Sequence, residues 1–265
     1  MTNRKNLFLT FIILFWCRLS LADDTTPILR NLPPLDQMIP IAIQTQIAAK
    51  RRLRASKRQS DLSIMDVIPN RVDLRWRDTG IQVQVLNNCT AFALVAAMEN
   101  MLQGKVKLSE NHLWYLYQKP NPVPAISAAS ANRITYEYYW PYWNSNPYQN
   151  FNQYSYYYLQ SSRYLDDPVN DSLISLANGY PVFLTFSLTD DFYKCTARPD
   201  PNSPVNGLGH AVEIVGYDWS EQRFIVKNSW GTNCGDAGYQ YIPFDYCRRS
   251  DMFCVAWAIY GVSGT

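Results

Sequence analysis

The stretch from Gly209 to Ile242 restricts the fold of this chain more than any other part of the sequence. Apolar residues alternate roughly with other residues from His210 to Tyr217, and a second apolar run extends from Phe224 to Val226. The residues between the two runs, 218 to 221, read DWSE and interrupt the pattern. Two runs of this kind separated by turn residues are typical of a β-hairpin.

The predicted hairpin brings a histidine close to a side-chain amide. Pairing about Trp219 places His210 opposite Asn228, because the two residues are equally distant from the turn. A slip of one or two positions still leaves them as diagonal neighbours within reach of each other. An imidazole whose second ring nitrogen is held by such a partner is oriented for proton transfer. We therefore expect His210 to be the base of a site that also needs a nucleophile.

The two strands also carry family motifs. The sequence HAVEIVGYD, followed by KNSWG and then G-x-x-GY, resembles the catalytic histidine and asparagine segments of the papain-like cysteine proteases. The resemblance implies an α+β, two-subdomain fold, with a helical left half, an antiparallel β-barrel-like right half and a cleft between them. It also implies a cysteine upstream at the start of a long helix, and Cys89 is there.

Cys89 stands at the start of a predicted helix. Apolar residues recur at Ala91, Val95, Met98 and Leu102, which is a helical spacing. With Asn88 as the N-cap, Cys89 lies in the first turn, where the helix dipole favours an anion. Such positions lower the pKa of a thiol, so we expect a reactive thiolate. The local sequence C-T-A-F resembles the family's C-W-A-F and the C-T-A variants of bacterial members.

The resemblance assigns further roles around the predicted catalytic residues Cys89, His210 and Asn228. A glutamine upstream of the cysteine helps to form the oxyanion hole; Gln84 is our first choice and Gln82 the alternative. Trp230 is expected to cover the hydrogen bond between histidine and asparagine, and Gly209 to border the substrate cleft. The second tryptophan of the family motif W-G-x-x-W-G is replaced here by Cys234, which alters the leaving-group side of the cleft, and a free thiol at Cys234 would interfere with Cys89.

The N-terminal residues predict export. Residues 1–22 combine a short basic start, an apolar run and a small-residue ending, which is the pattern of a secretory signal peptide. Residues 23–66 are rich in proline and then basic, and either a propeptide or a solvated linker fits them. Residues 67–265 form the predicted peptidase domain. The expected location is secreted or periplasmic, or a lysosome-like compartment in a eukaryote, without stable membrane association after signal cleavage.

Export permits disulfides, and four cysteines remain besides Cys17 in the signal peptide and Cys89. Three pairings of four cysteines exist, and the sequence alone does not choose among them. The resemblance favours a bridge between Cys195 and Cys254, because family members often join the loop before the histidine to the end of the chain. Cys234 and Cys247 are then the second pair.

Composition excludes some classes of function. The formal net charge is +2, and no basic stripe interleaved with aromatic residues is present, so we expect no nucleic-acid partner. Glu213 follows His210 by three positions and points to the opposite strand face, so we expect no metal site there. No cofactor is required by the chemistry, and no feature of the sequence defines an oligomeric state.

Three other features enter the prediction. Ser109 is expected to cap a helix that contains His112, which we interpret as structural because no amide-bearing strand accompanies it. The tyrosine-rich residues 133–165 fit either a domain wall or a polymer-binding groove, and the wall is favoured.

The sequence thus predicts a secreted cysteine endopeptidase acting on proteins or peptides. The alternatives are an inactive papain-like fold that binds peptides, and a Cys-His-Asn amidase or acyltransferase.

Overall fold

The computed structural model describes residues 68–264. The predicted signal peptide, residues 1–22, and the predicted propeptide or linker, residues 23–66, lie outside the described residues. Within residues 68–264, none of the helices is long and apolar enough to cross a membrane.

The helices are short except for the one that begins at the predicted nucleophile. They are α1 (Cys89–Met101), α2 (Glu110–Tyr117), α3 (Pro122–Ala131), α4 (Asn170–Ala177) and α5 (Asp190–Tyr193). Almost every residue of α1 is buried, so this helix is central rather than amphipathic. It ends before Gly104, whose φ of +66° is a left-handed conformation that favours glycine.

The strands form one antiparallel sheet. They are β1 (Arg71–Asp73), β2 (Ile134–Thr135), β3 (Ser155–Leu165), β4 (Val182–Thr189), β5 (Val205–Asp218), β6 (Arg223–Lys227), β7 (Tyr239–Pro243) and β8 (Cys254–Ser263). The order is β2-β3-β8-β4-β5-β6-β7, and β1 pairs with β5. The fold class is therefore α+β as predicted, and among the described strands the sheet is open, because β2 and β7 end it without pairing.

Two hydrophobic clusters fill the two sides of this sheet. One contains α4 and the inner residues of β4 to β7, with Phe186, Tyr217 and Phe224 among its fully buried side chains. The other contains most of α1 together with Leu113 and Phe183. Helix α1 packs against β5 in particular. The N-terminus of α1 is thereby held beside the strand that carries His210.

The hairpin of β5 and β6 forms with a register different from the predicted one. Glu213 pairs with Lys227 and Tyr217 with Phe224, and the register shifts between Ile214 and Gly216. Asn228 therefore follows the last residue of β6 instead of pairing opposite His210. The difference arises at the turn, because Asp218 pairs with Arg223 and the turn is centred beyond Trp219, yet the side chains of His210 and Asn228 remain within hydrogen-bond distance.

The disulfide pairing implied by the resemblance is wrong. Cys195 is bonded to Cys234, and Cys247 is bonded to Cys254. The backbone N–H of Gly235 donates to the carbonyl of Cys195, which holds those two loops side by side. Cys247 ends a short 3-10 helix, and the chain returns within a few residues to Cys254 at the start of β8. Cys234 is consequently not a free thiol near the site.

The capping prediction holds for α2 but fails for α1. The Ser109 hydroxyl accepts a hydrogen bond from the backbone N–H of His112 at 3.1 Å, as expected for an N-cap. Asn88 occupies the N-cap position of α1, but its side chain makes no capping hydrogen bond. Its Oδ1 instead accepts a bond from the Tyr142 hydroxyl at 3.4 Å. The loop before Cys89 is thus held from outside the helix.

Candidate active site

His210 and Asn228 form the centre of the site. His210 lies on β5 and is fully buried, and Asn228 immediately follows β6. The Nε2 atom of His210 lies 2.9 Å from the Oδ1 atom of Asn228. The backbone N–H of Ser229 donates to the same oxygen at 2.8 Å. An amide oxygen can only accept, so this arrangement places the proton of the neutral imidazole on Nε2.

Aromatic rings shield this hydrogen bond. The indole of Trp230 stacks on the ring of His210, with centroids 4.4 Å apart and an interplanar angle of 28°. Phe192 and Phe186 approach the imidazole from other sides, at 5.9 and 6.4 Å between centroids. Hydrogen bonds are electrostatically stronger where water is excluded. The geometry matches the position predicted for Trp230.

Cys89 lies at the N-terminus of α1, against the strand that carries His210. It is fully buried and belongs to the same hydrophobic cluster as Ala211 of β5. Ala211 directly follows His210, so Cys89 packs against the segment of β5 that carries the histidine. Of the cysteines that the structure describes, Cys89 is the one outside a disulfide. No sequence pattern marks Ala211, because only the packing of α1 on β5 brings it to Cys89.

The expected low pKa of the thiol is wrong for this environment. Burial raises the pKa of the Cys89 thiol to about 12, although the N–H groups of Ala211 and Thr90 act in the opposite direction. Desolvation disfavours the charged form and here outweighs the helix terminus. A thiolate at this position therefore needs a positive counter-charge, which a protonated imidazole can supply.

The similarity of this chain to known proteins identifies its family. The model of the papain family of cysteine proteases matches residues 68–255. The chain belongs to the papain family of cysteine proteases. The resemblance predicted from the histidine and asparagine segments is thereby confirmed, and residues 68–255 form a papain-like cysteine peptidase domain.

Individual relatives are distant. Macrodontain-1 of Ananas macrodontes is 25% identical over 71% of this chain and 95% of its own length. A probable cysteine protease of Arabidopsis thaliana is 30% identical over 72% of this chain and 59% of its own. An uncharacterized peptidase C1-like protein of Acanthamoeba polyphaga mimivirus is 31% identical over 37% of this chain and 34% of its own. The chain thus spans about a third of the length of the mimivirus protein and about three-fifths of the length of the Arabidopsis protease.

Solved structures show the same fold. Xylellain, a cysteine protease from Xylella fastidiosa, superposes with a TM-score of 0.62 at 22% identity, covering 74% of this chain and 88% of xylellain. A cysteine protease of Carica candamarcensis in complex with E-64 gives a TM-score of 0.59 at 21% identity, covering 73% of this chain and 100% of that one. At such identities the similarity concerns the fold alone.

Gln84 and Gln82 occupy different places in this papain-family domain. Gln84 is buried, its Nε2 donates to the carbonyl of Leu86 at 3.1 Å, and its Oε1 accepts from the Ser229 hydroxyl. Its amide is therefore tied to the residue after Asn228. Gln82 lines a cavity that also borders Thr79, Lys227 and Asn228. Both glutamines are bonded to the segment that follows Asn228, but only Gln84 is bonded through its side-chain amide, whereas Gln82 accepts from the N–H of Gly231 with its backbone carbonyl.

Tyr142 fixes the loop that precedes Cys89. Its hydroxyl accepts hydrogen bonds from the backbone N–H groups of Val85 and Leu86 at 2.9 and 3.1 Å. Its ring also packs edge-on against Phe92 of α1, with centroids 4.7 Å apart. The tyrosine-rich segment therefore acts as a wall at Tyr142. Elsewhere in that segment Tyr138 and Trp143 are exposed.

His112, the second histidine, is held in the helical half. Its Nδ1 accepts a hydrogen bond from the backbone N–H of Thr135 at 3.1 Å, and its ring stacks near Trp140. Burial lowers the pKa of His112 to about 4, so it stays neutral near pH 7. These contacts fit the structural interpretation.

A cluster of buried and half-buried charges lies between α1 and the sheet. Its buried members are Glu99, Glu110, Glu213 and Lys227, and its half-buried members are Asp78 and Lys107. Lys107 lies 3.0 Å from Glu99 and also bonds Glu110. Carboxylates outnumber ammonium groups here, and burial raises the pKa of Asp78, Glu99 and Glu213. The surplus acids are therefore expected to hold protons when the protein is folded.

Replacing Glu213 by glutamine is expected to stabilise the fold at alkaline pH. Among residues 68–264, neither carboxyl oxygen of Glu213 has a hydrogen-bond partner, and burial raises its pKa well above 4.5. The folded state binds this proton more tightly than the unfolded state, so the free energy of unfolding falls as pH rises above about 4.5. Glutamine removes that loss.

The measurement is urea unfolding at about pH 5 and about pH 8. We expect Glu213→Gln to change the free energy of unfolding little at the lower pH and to raise it by at least about 1 kcal/mol at the higher pH. Glu221→Gln, at an exposed glutamate paired with Arg198, is the control and should have little effect at either pH. An equal effect of Glu213→Gln at both values would contradict the prediction.

Proposed function

We propose that this papain-family peptidase cleaves peptide bonds through Cys89, His210 and Asn228. Cys89, as the thiolate beside a protonated His210, attacks the carbonyl carbon of the scissile bond and forms a tetrahedral oxyanion. His210 gives its proton to the leaving amine, the C–N bond breaks, and a thioester remains on Cys89. His210 then removes a proton from water, which attacks the thioester and releases the acid and the thiol.

The other residues support these steps. Asn228 holds His210 so that Nε2 keeps its proton and Nδ1 exchanges protons at the reacting atoms. The backbone N–H of Cys89 and the second N–H of Gln84 are the donors we assign to the oxyanion. Trp230 keeps water from the bond between His210 and Asn228. The observation that carries the proposal is the packing of Cys89 with Ala211, one residue after His210, together with the hydrogen bond between His210 and Asn228.

Reaction with an electrophilic thiol probe tests this assignment. We expect an active-site-directed epoxide probe to modify the full-length protein at one described residue, Cys89, as located by peptide mass spectrometry. The other four described cysteines are in disulfides and should remain unmodified. His210→Ala should slow the labelling strongly, because the thiolate loses its counter-charge. A folded protein that stays unlabelled would favour a peptide-binding fold over the enzyme.

We also propose that the peptidase is exported. The signal-peptide pattern of residues 1–22 supports this, and so do two disulfides, which persist in oxidising compartments. N-terminal sequencing of protein recovered from the culture medium is the test. A start near residue 23 or later supports export with cleavage, and retention of residue 1 on cytoplasmic protein contradicts it.

A further inference from the structure

A second buried carboxamide, that of Gln240, lies behind Asn228. The structure assigns to Gln240 the role of a positioning residue, which fixes the orientation of the Asn228 amide and through it the imidazole of His210. This inference rests on the proposed function, since it concerns the same site. No sequence pattern marks Gln240, because a glutamine between two tyrosines in a short strand carries no recognisable signal.

The contacts of Gln240 form a continuous chain to the histidine. Gln240 lies on β7 and is fully buried. Its Oε1 accepts a hydrogen bond from Nδ2 of Asn228 at 2.7 Å. Its Nε2 donates to the backbone carbonyls of Phe192 at 3.2 Å and Thr196 at 2.9 Å. Both ends of the side chain are therefore used, and neither faces solvent.

The donors and acceptors in this series of hydrogen bonds can be arranged in only one way. The carbonyls of Phe192 and Thr196 can only accept hydrogen bonds, so the NH2 group of Gln240 must face them. The oxygen of Gln240 must then face Asn228, which must present its own NH2 group in return. The Asn228 oxygen is left pointing at Nε2 of His210. Two backbone carbonyls thus determine which atom of Asn228 meets the imidazole.

The remaining atoms of Asn228 agree with this direction. Its oxygen also accepts from the backbone N–H of Ser229 at 2.8 Å. The second hydrogen of its NH2 group points towards the sulfur of Cys234, 3.6 Å away, which is held in the disulfide with Cys195. In a flipped amide, the NH2 group of Asn228 would face the N–H of Ser229, which is also a donor. Its oxygen would face the oxygen of Gln240, which is also an acceptor. Every hydrogen-bonding group of Asn228 is satisfied in the observed orientation only.

The orientation matters for the chemistry of His210. An oxygen facing Nε2 keeps the proton of the neutral ring on that nitrogen and leaves Nδ1 to take the proton of the thiol. It also stabilises the charged ring, because both ring nitrogens are then donors. By accepting from the Asn228 NH2 group, Gln240 further polarises this amide. Loss of Gln240 should therefore slow the chemical step without weakening the binding of substrate.

Gln240→Met tests the inference, because methionine has a similar volume and cannot make these hydrogen bonds. We expect kcat for a peptide substrate to fall about 10- to 100-fold, which is the usual effect of losing a residue that orients a functional side chain. KM should stay within about twofold of the parent value. The control is Asn100→Leu, which removes another fully buried carboxamide, bonded to Leu74 and Asp78 near the far end of α1. It should lower stability while leaving kcat per folded molecule within about twofold.

Gln240→Glu keeps the inference testable if the methionine variant fails to fold. A protonated glutamic acid offers a hydroxyl to the two backbone carbonyls and a carbonyl oxygen to Asn228, whereas the ionised form places a charge against those carbonyls. The kcat of Gln240→Glu relative to the parent enzyme should therefore rise as pH falls from about 8 to about 5. For Gln240→Met the same ratio should stay constant.

The outcomes separate two failures. If Cys89→Ala hydrolyses substrate like the parent protein, the proposed function fails and the role of Gln240 fails with it. If Cys89→Ala is inactive while Gln240→Met keeps kcat within twofold of the parent enzyme, only the role of Gln240 is overturned. The same holds if the kcat ratio of folded Gln240→Glu is independent of pH. A fall in kcat for Gln240→Met with unchanged KM and an unaffected Asn100→Leu supports the inference.

Discussion

Replacing Cys89 by alanine in the purified full-length protein is expected to abolish peptide-bond hydrolysis, lowering kcat/KM by at least about 10⁴-fold. The thiolate forms the covalent intermediate, and no other described cysteine is free to replace it. The loss of activity is measured as the decrease in acid-soluble peptides released from a casein-type substrate. Far-UV circular dichroism of the variant should match the parent, because removing one sulfur atom leaves α1 in place.

The two histidines provide a matched control for this experiment. His210→Ala should also abolish hydrolysis, because the acid and base of both steps is lost. His112→Gln should retain most of the activity of the folded fraction, because His112 bonds the backbone of Thr135 and not the site. Retained activity in Cys89→Ala, or equal losses in the two histidine variants, would place the nucleophile or the base elsewhere.

Replacing Lys107 by methionine is expected to lower the free energy of unfolding by about 3 kcal/mol or more near neutral pH. The ammonium group of Lys107 bonds the carboxylates of Glu99 and Glu110, and both glutamates are almost completely buried. Its removal leaves two buried acids of like charge without this partner. Breaking one side of a buried ion pair is costly because the remaining charge is desolvated and unpaired.

Urea unfolding monitored by tryptophan fluorescence measures this effect. Lys105→Met is the control, because Lys105 is exposed and should change stability by well under 1 kcal/mol. Combining Lys107→Met with Glu110→Gln should recover part of the loss, because one of the two acids becomes neutral. A similar small loss for both lysines would show that the cluster is solvated rather than buried.

The catalytic elements were predictable from sequence because they are local. Alternating apolar residues define the strand of His210, and helical spacing defines the helix of Cys89. Their family motifs occupy short contiguous segments, so family membership followed from them as well. The register of the hairpin was off because Asp218 pairs with Arg223, which centres the turn beyond Trp219, while the irregularity between Ile214 and Gly216 shifts the pairing back by one residue.

The errors concern features that depend on distant parts of the chain. Cys195 meets Cys234 because two loops are joined by a backbone hydrogen bond, and cysteine spacing does not encode that contact. The pKa of the Cys89 thiol is raised because packing of α1 on β5 removes water from the sulfur, and this outweighs the local effect of a helix terminus. The surplus of buried acids near Lys107 also appears only after folding.

The sequence by itself determined the family of this protein, its α+β fold class and the three segments that carry a cysteine, a histidine and an asparagine. These depend on hydrophobic periodicity and short motifs, which are properties of neighbouring residues. Only the tertiary structure decided the disulfide pairs, the raised pKa values of the buried acids and the place of Gln240 behind Asn228. Those depend on desolvation and on hydrogen bonds between segments far apart in the chain, and such contacts exist only once the core has formed.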